Sequence, residues 1–192
     1  MFPAFTELSR VELTLYTDSL ITKGWVRTRQ HRITDILNLA DQSFLILEDA
    51  VVEEMGDRGQ PIRTDLAQIN LDSVLFAVAD VPVEPSPELR TVKAPREAIV
   101  SVPPFWITGT IHLMPSEVGL REALTELQGR FIPVTDATYW SDRLGEARRT
   151  ALLVAVNHRR TQIMAQHQAA DPWAGLAAPA PSVPPPDDPI LR

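Results

Sequence analysis

The side chains with most chemistry to offer fall in three places. His31, Arg32, Asp35 and Asn38 lie within one short stretch, and a base at His31 oriented by Asp35 is feasible at that spacing. No nucleophile or cofactor motif stands beside them, so the simpler reading is a helix start whose Asp35 satisfies backbone donors or an arginine. His112, His158 and His167 bring the imidazoles to four. None forms a close His-x-x-x-His pair and His-Glu-x-x-His is absent, so neither a metal nor a cofactor is expected. Arg148, Arg149, Arg159 and Arg160 flank the apolar run 152–156, and with Trp140 and His158 nearby they are suited to phosphate or to RNA bases. Arginines at strand ends also act as solvated charges that blunt aggregation, and Asp142 and Glu146 partly neutralise this group. The binding candidates are therefore His31, Arg32, Asp35, Asn38, Arg159 and Arg160, and no catalytic residue is assigned.

Composition narrows the choice further. The 192 residues are 44% hydrophobic and 22% charged, close to an ordinary folded protein. Eighteen Lys and Arg against 25 Asp and Glu leave a net charge of −7, which argues against a chain built mainly to coat phosphate backbones. Zero cysteines remove disulfides, thiolate metal sites and cysteine nucleophiles. The dinucleotide, P-loop and nucleophile-elbow signatures are missing as well. Residues 1–10 do not read as a signal peptide, and no apolar run approaches the ~20 residues of a membrane helix. A soluble, cytoplasmic protein without membrane contact is expected.

The elements that must position these residues repeat. The segment 33–50 aligns without gaps on 120–137: Leu37 meets Leu124, Phe44 meets Phe131, and Asp49-Ala50 meets Asp136-Ala137. Upstream, each copy has a β-rich run through a glycine, Gly24 and Gly109. Downstream, 74–80 is set against 152–158. Each copy reads as strand, short helix, strand, loop and strand, with Gly24 as a bend or bulge in a strand from Tyr16 to Thr28. Ile33, Ile36, Leu37 and Ala40 follow helical spacing, with Asp35 in the first turn. In the second copy Ser116 caps a helix carrying Leu120, Ala123, Leu124 and Leu127, and Gly129 stops it. Pro133 is expected at an edge or where its strand leaves the sheet. The two Asp-Ala pairs are expected at strand ends as turn caps, with a carboxylate pair across a pseudo-twofold axis as the alternative.

The resulting fold class is mainly β (α+β): two similar strand-helix-strand-strand units packed as an intramolecular pseudodimer. Residues 1–81 form the first unit, 82–97 a proline-rich connector and 98–167 the second unit. Seven of the 17 prolines fall in 171–192, so 168–192 is expected to be a disordered tail with Trp173, Ile190 and Leu191 as its apolar handles.

The stretch His31-Arg-Ile-Thr-Asp-Ile-Leu-Asn38 followed by Phe44-Leu-Ile-Leu-Glu-Asp-Ala50 resembles an uncharacterised prokaryotic domain of unknown function with an Arg-Leu-Ser-Asp-x-Leu-Asn pattern. In the second copy that element is eroded to Gly119-Leu-Arg-Glu122. A fainter similarity of shape is to Sm-like small barrels, from whose pattern the inserted helix departs. Neither resemblance implies an activity.

What remains first is a non-enzymatic interaction or regulatory module that binds a protein partner through strand edges or the groove between units, with homo-oligomers allowed. An Sm-like RNA or nucleic-acid binder using Arg159 and Arg160 is second. A small-molecule-binding protein or hydrolase with a polar pocket near His31 and Asp35 is third.

Overall fold

Period-two alternation sets most of the strands. In β1 (Ser9–Tyr16), Leu13 and Leu15 are buried on one face; in β2 (Leu20–Thr28), Thr22, Gly24, Val26 and Thr28 are. The short helix α1 (Ile33–Leu37) buries Ile33, Ile36 and Leu37. At five residues it is far too short to stand alone and depends on that apolar face. Then follow β3 (Phe44–Glu54), β4 (Ile62–Asn70), β5 (Phe76–Ala79), β6 (Ala94–Val102), β7 (Phe105–Leu113), β8 (Phe131–Ser141), β9 (Glu146–Asn157) and β10 (Ile163–Gln166). This computed structural model describes residues 8–30, 32–39, 43–56, 59–79, 93–114, 124–125 and 127–167. About two thirds of them are strand, so the protein is mainly β.

All ten strands join one antiparallel sheet in the order β10-β6-β7-β8-β9-β5-β1-β2-β3-β4. The order hides a regularity. The first half pairs as β5-β1-β2-β3-β4 and the second as β10-β6-β7-β8-β9, and the registers agree residue for residue. Leu13 faces Gly24 in the first half, and Ala98 faces Gly109 in the second. Phe44 faces Asn70, and Phe131 faces Asn157. Tyr16 faces Phe76, and Ser101 faces Ile163. The first half and β5 enclose one core, with Leu13, Leu15, Ile33, Leu37 and Leu47 at its centre; the second encloses another around Val100, Phe105, Ile107 and Val134.

The bend expected at Gly24 is a β-bulge, and Gly109 carries its counterpart. Opposite them, Asp49 and Asp136 both adopt φ of 50°. That left-handed conformation is one aspartate tolerates better than most residues. The bulge adds twist and bends each strand around its own core. Both aspartates therefore lie mid-strand rather than at strand ends, and each serves the bulge of its own half.

Other expectations are corrected. Each half has five strands rather than three: β1 and β4 come in addition, β1 carrying charged residues opposite its apolar face and β4 spreading Ile62, Leu66 and Ile69 over both of its faces. Residues 74–80 and 152–158 are not counterparts. They contribute to β5 and β9, which are hydrogen-bonded partners, and the strand that holds the place of β5 in the second half of the ladder is β10. The connector is shorter than 82–97, since β6 begins at Ala94. Pro133 sits inside the sheet, paired with Ala155 of β9, while the β7–β8 ladder stops one residue earlier at Val134. Its missing donor thus coincides with the point where β8 parts from β7. Of the helix expected from Ser116, Leu124 and Thr125 are helical and Leu127 and Gln128 are not; the rest of it lies outside the described residues, as does the tail from 168 onward.

The two bulges differ in tightness. A Cβ on Gly109 would lie 2.7 Å from the Thr135 carbonyl oxygen and 2.8 Å from Val134 Cγ1, whereas on Gly24 its nearest neighbour is the Glu48 oxygen at 3.0 Å. Both alanine substitutions destabilise by crowding backbone that cannot yield. Gly109→Ala is expected to cost about 1–3 kcal/mol and Gly24→Ala less, read as shifts in urea midpoint at constant slope.

Candidate functional site

Three features meet where the halves join. The first is the ladder itself: Phe76, Ala77 and Val78 of β5 face Val156, Ala155 and Val154 of β9, and the Asn157 N–H donates to the Leu75 carbonyl at 2.8 Å. The second is a pair of asparagine clasps. Asn157 is buried and its Nδ2 donates to the carbonyls of Val74 (2.8 Å) and Leu71 (3.3 Å), across the junction. Asn38, at the C-terminal end of α1, receives the Phe131 N–H on Oδ1 and donates from Nδ2 to the Phe131 carbonyl, both at 2.7 Å. The third is apolar: Tyr16, Phe76 and Val78 of the first half enter the second core, while Phe131 and Ala155 of the second half enter the first. Tyr16 stacks on Phe76 at 4.3 Å between centroids and its hydroxyl lies 3.2 Å from that of Tyr139.

Beside this junction runs a groove of about 720 Å³, lined among others by Tyr16, Lys23, Glu53, Glu54, Tyr139, Glu146 and Arg149. Its charges are largely engaged. Lys23 pairs with Glu12 at 3.2 Å and Arg149 lies 3.5 Å from Glu146. The groove offers hydrogen-bonding and ion-pairing groups to an extended polar chain. Among the described residues, no three metal-ligating side chains come together. No helix among them is long and apolar enough to cross a membrane.

The sequence candidates scatter. His31 lies outside the described residues. Arg32 is the residue before α1 and makes no side-chain cap; its carbonyl receives the N–H of Asp35 at 3.0 Å. Asp35 is exposed on the first turn, whereas the Asn38 amide is committed to Phe131. Arg148 and Arg149 belong to β9 itself, near its start, and Arg159 and Arg160 to a 3-10 turn (His158–Arg160) beyond its end. Ten residues of strand at about 3.3 Å each separate the two pairs by roughly 30 Å. Arg148 lies over Trp140 at 4.5 Å and Arg160 bonds Asp18 at 2.6 Å, while Arg159 is exposed. The four arginines do not make one patch.

No family model, no curated protein and no solved structure matches this chain.

Sequence reasoning missed Asn157. Its signal was present: Leu153-Val-Ala-Val-Asn157 mirrors Leu66-Ala-Gln-Ile-Asn70, and both asparagines accept the backbone N–H two residues on, from Arg159 at 3.1 Å and Asp72 at 3.0 Å. Setting β5 against β9 concealed that match. Asn157→Ala would strip the buried carbonyls of Leu71 and Val74 of a donor. It is expected to cost roughly 2–4 kcal/mol, whereas Asn70→Ala, on an exposed turn, stays within about 0.5 kcal/mol at concentrations where the chain is single. Chemical denaturation of both variants checks the contrast.

Proposed function

We propose that the chain is a duplicated five-stranded unit, a small-barrel-like tandem, that works as a non-enzymatic interaction module by lending out its sheet edges. The observation that carries this reading is the state of β4 and β10. They are the two ends of the ladder, and among the described residues no strand pairs with their outer sides. They also carry exposed apolar side chains, Ile62 and Leu66 on β4 and Ile163 on β10.

A bare edge of this kind is a template for another strand, which main-chain hydrogen bonds hold and alternate side chains select. Natural edges are usually blunted with lysine, proline or a bulge. Here the outermost strands have neither lysine nor proline within Ile62–Asn70 and Ile163–Gln166. The commitment of Asn38 and Asn157 to backbone partners at the junction, and the dispersal of the arginines, favour binding through backbone over catalysis or phosphate contact.

The test is affinity purification of the full chain beside a Leu66→Lys/Ile163→Lys variant. Both positions are exposed, so the fold, read by far-UV circular dichroism, is expected to be unchanged. A stoichiometric protein held by the parent chain and lost from the variant supports edge binding. Equal retention by both chains would sink it. Salt-sensitive RNA that weakens on Arg159→Ala/Arg160→Ala would turn the reading to nucleic acid.

A further inference from the structure

We infer that the strand which pairs with each free edge comes from a second copy of this chain, and that the contact repeats the junction already made inside it. This rests on the edge-binding reading above and names its partner. The internal junction joins the last strand of the first half, β5, to the fourth strand of the second half, β9. Among the described residues, the two strands left open are β10, the counterpart of β5, and β4, the counterpart of β9. One chain therefore ends in the two complementary halves of a contact it already contains.

Exposure supports this position by position. Phe131 is 1% exposed at the internal junction, and its counterpart Phe44 is 49% exposed. Phe76 is 0% exposed and its counterpart Ile163 is 52% exposed. Leu153 packs against the first core, and its counterpart Leu66 is 63% exposed. The side chains that fill the internal junction are thus matched by apolar ones lying bare where a neighbour would sit. Asn70 stands where Asn157 does. Its amide would reach the carbonyls of His158 and Thr161 of the neighbouring copy, the counterparts of Leu71 and Val74.

The register follows without adjustment. The pairs Phe76↔Val156, Ala77↔Ala155 and Val78↔Val154 translate to Ile163 facing Ile69, Met164 facing Gln68 and Ala165 facing Ala67 of the neighbour. Because two different edges meet, the contact is heterologous. It closes into a ring if the rotation permits and otherwise runs on as a filament.

The chain has no cysteine, which makes the register directly testable. The Asn157 N–H donates to the Leu75 carbonyl, so Ala77 and Ala155 are the hydrogen-bonded pair of this ladder and Val78 and Val154 a non-hydrogen-bonded one, as Ala165 and Ala67 would be. Their Cα atoms would lie about 4.5 Å apart, within disulfide reach. In the Ala67→Cys/Ala165→Cys chain, mild oxidation is expected to give a covalent ladder of whole chains on a non-reducing gel. The shifted pair Ala67→Cys/Met164→Cys, whose side chains point to opposite faces, is expected to give far less. Native mass spectrometry of the parent chain should show multiples of 21.4 kDa, falling to the single-chain mass in Leu66→Lys/Ile163→Lys.

A parent chain that stays at the single-chain mass at its solubility limit overturns the inference, as does equal cross-linking by both cysteine pairs. If the chain is single but still holds a different protein that the lysine variant loses, the copy-to-copy inference falls and edge binding stands. If it is single and the lysine variant changes nothing, both fall.

Discussion

The pairing of β5 with β9 is the contact on which the rest depends. Without it each half would be a unit of five strands with two raw edges and a bisected aromatic cluster, at a size where burial barely offsets chain entropy. The contact removes one edge from each half and closes both cores at once, because side chains cross in both directions: Phe76 and Val78 one way, Phe131 and Ala155 the other. Burying a phenylalanine or valine side chain contributes about 1.5–3 kcal/mol, so Phe76, Val78 and Phe131 outweigh the three ladder pairs, whose net hydrogen-bond gain is modest. The ladder supplies register. The crossed side chains supply most of the energy.

The curvature that makes such crossing feasible comes from a backbone device used twice. Gly109 lets the facing strand approach within a distance that no Cβ would permit and Gly24 within one that a Cβ would crowd, and Asp49 and Asp136 absorb the extra residue at positive φ. A flat sheet of ten strands would present two broad apolar faces and no interior. The bulges bend each half around its own core, so that only the outermost strands remain open.

What the sequence disclosed follows from this. The glycine, the Asp-Ala pair and Phe44 with Phe131 were legible, because backbone geometry and core packing restrict residue type there. β1 and β4 were not: Arg10 and Glu12 dilute the apolar signal of β1, and in β4 the apolar residues Ile62, Leu66 and Ile69 fall on both faces and break the alternation. β10 was obscured for another reason: its residues Ile163 and Met164 stand where Phe76 and Ala77 do, and the two segments share little beyond size. The candidate site was the least legible part. Asn38 looked like a binding side chain because it is polar and close to His31, yet its amide is spent on Phe131, a partner 93 positions away that no local pattern could reveal. The arginines looked like a cluster only because β9 was read as shorter than its 12 residues.

The halves also differ in a way that bears on how they are used. At the internal junction Tyr16, Phe76 and Tyr139 interlock, with Phe105 edge-on to the first two. Their counterparts by register are Ser101 for Tyr16, Ile163 for Phe76 and Val52 for Tyr139, each smaller. Two identical edges would have forced two equal contacts. Instead the junction within the chain holds stacked and edge-on rings that the outer edges cannot reproduce, which adds about 0.5–1.5 kcal/mol per aromatic pair beyond area alone. The contact inside the chain would therefore be the stronger of the two, and the inferred outer one, built on Phe44, Leu66 and Ile163, the weaker. An assembly joined in that way would come apart into intact chains before any chain opened.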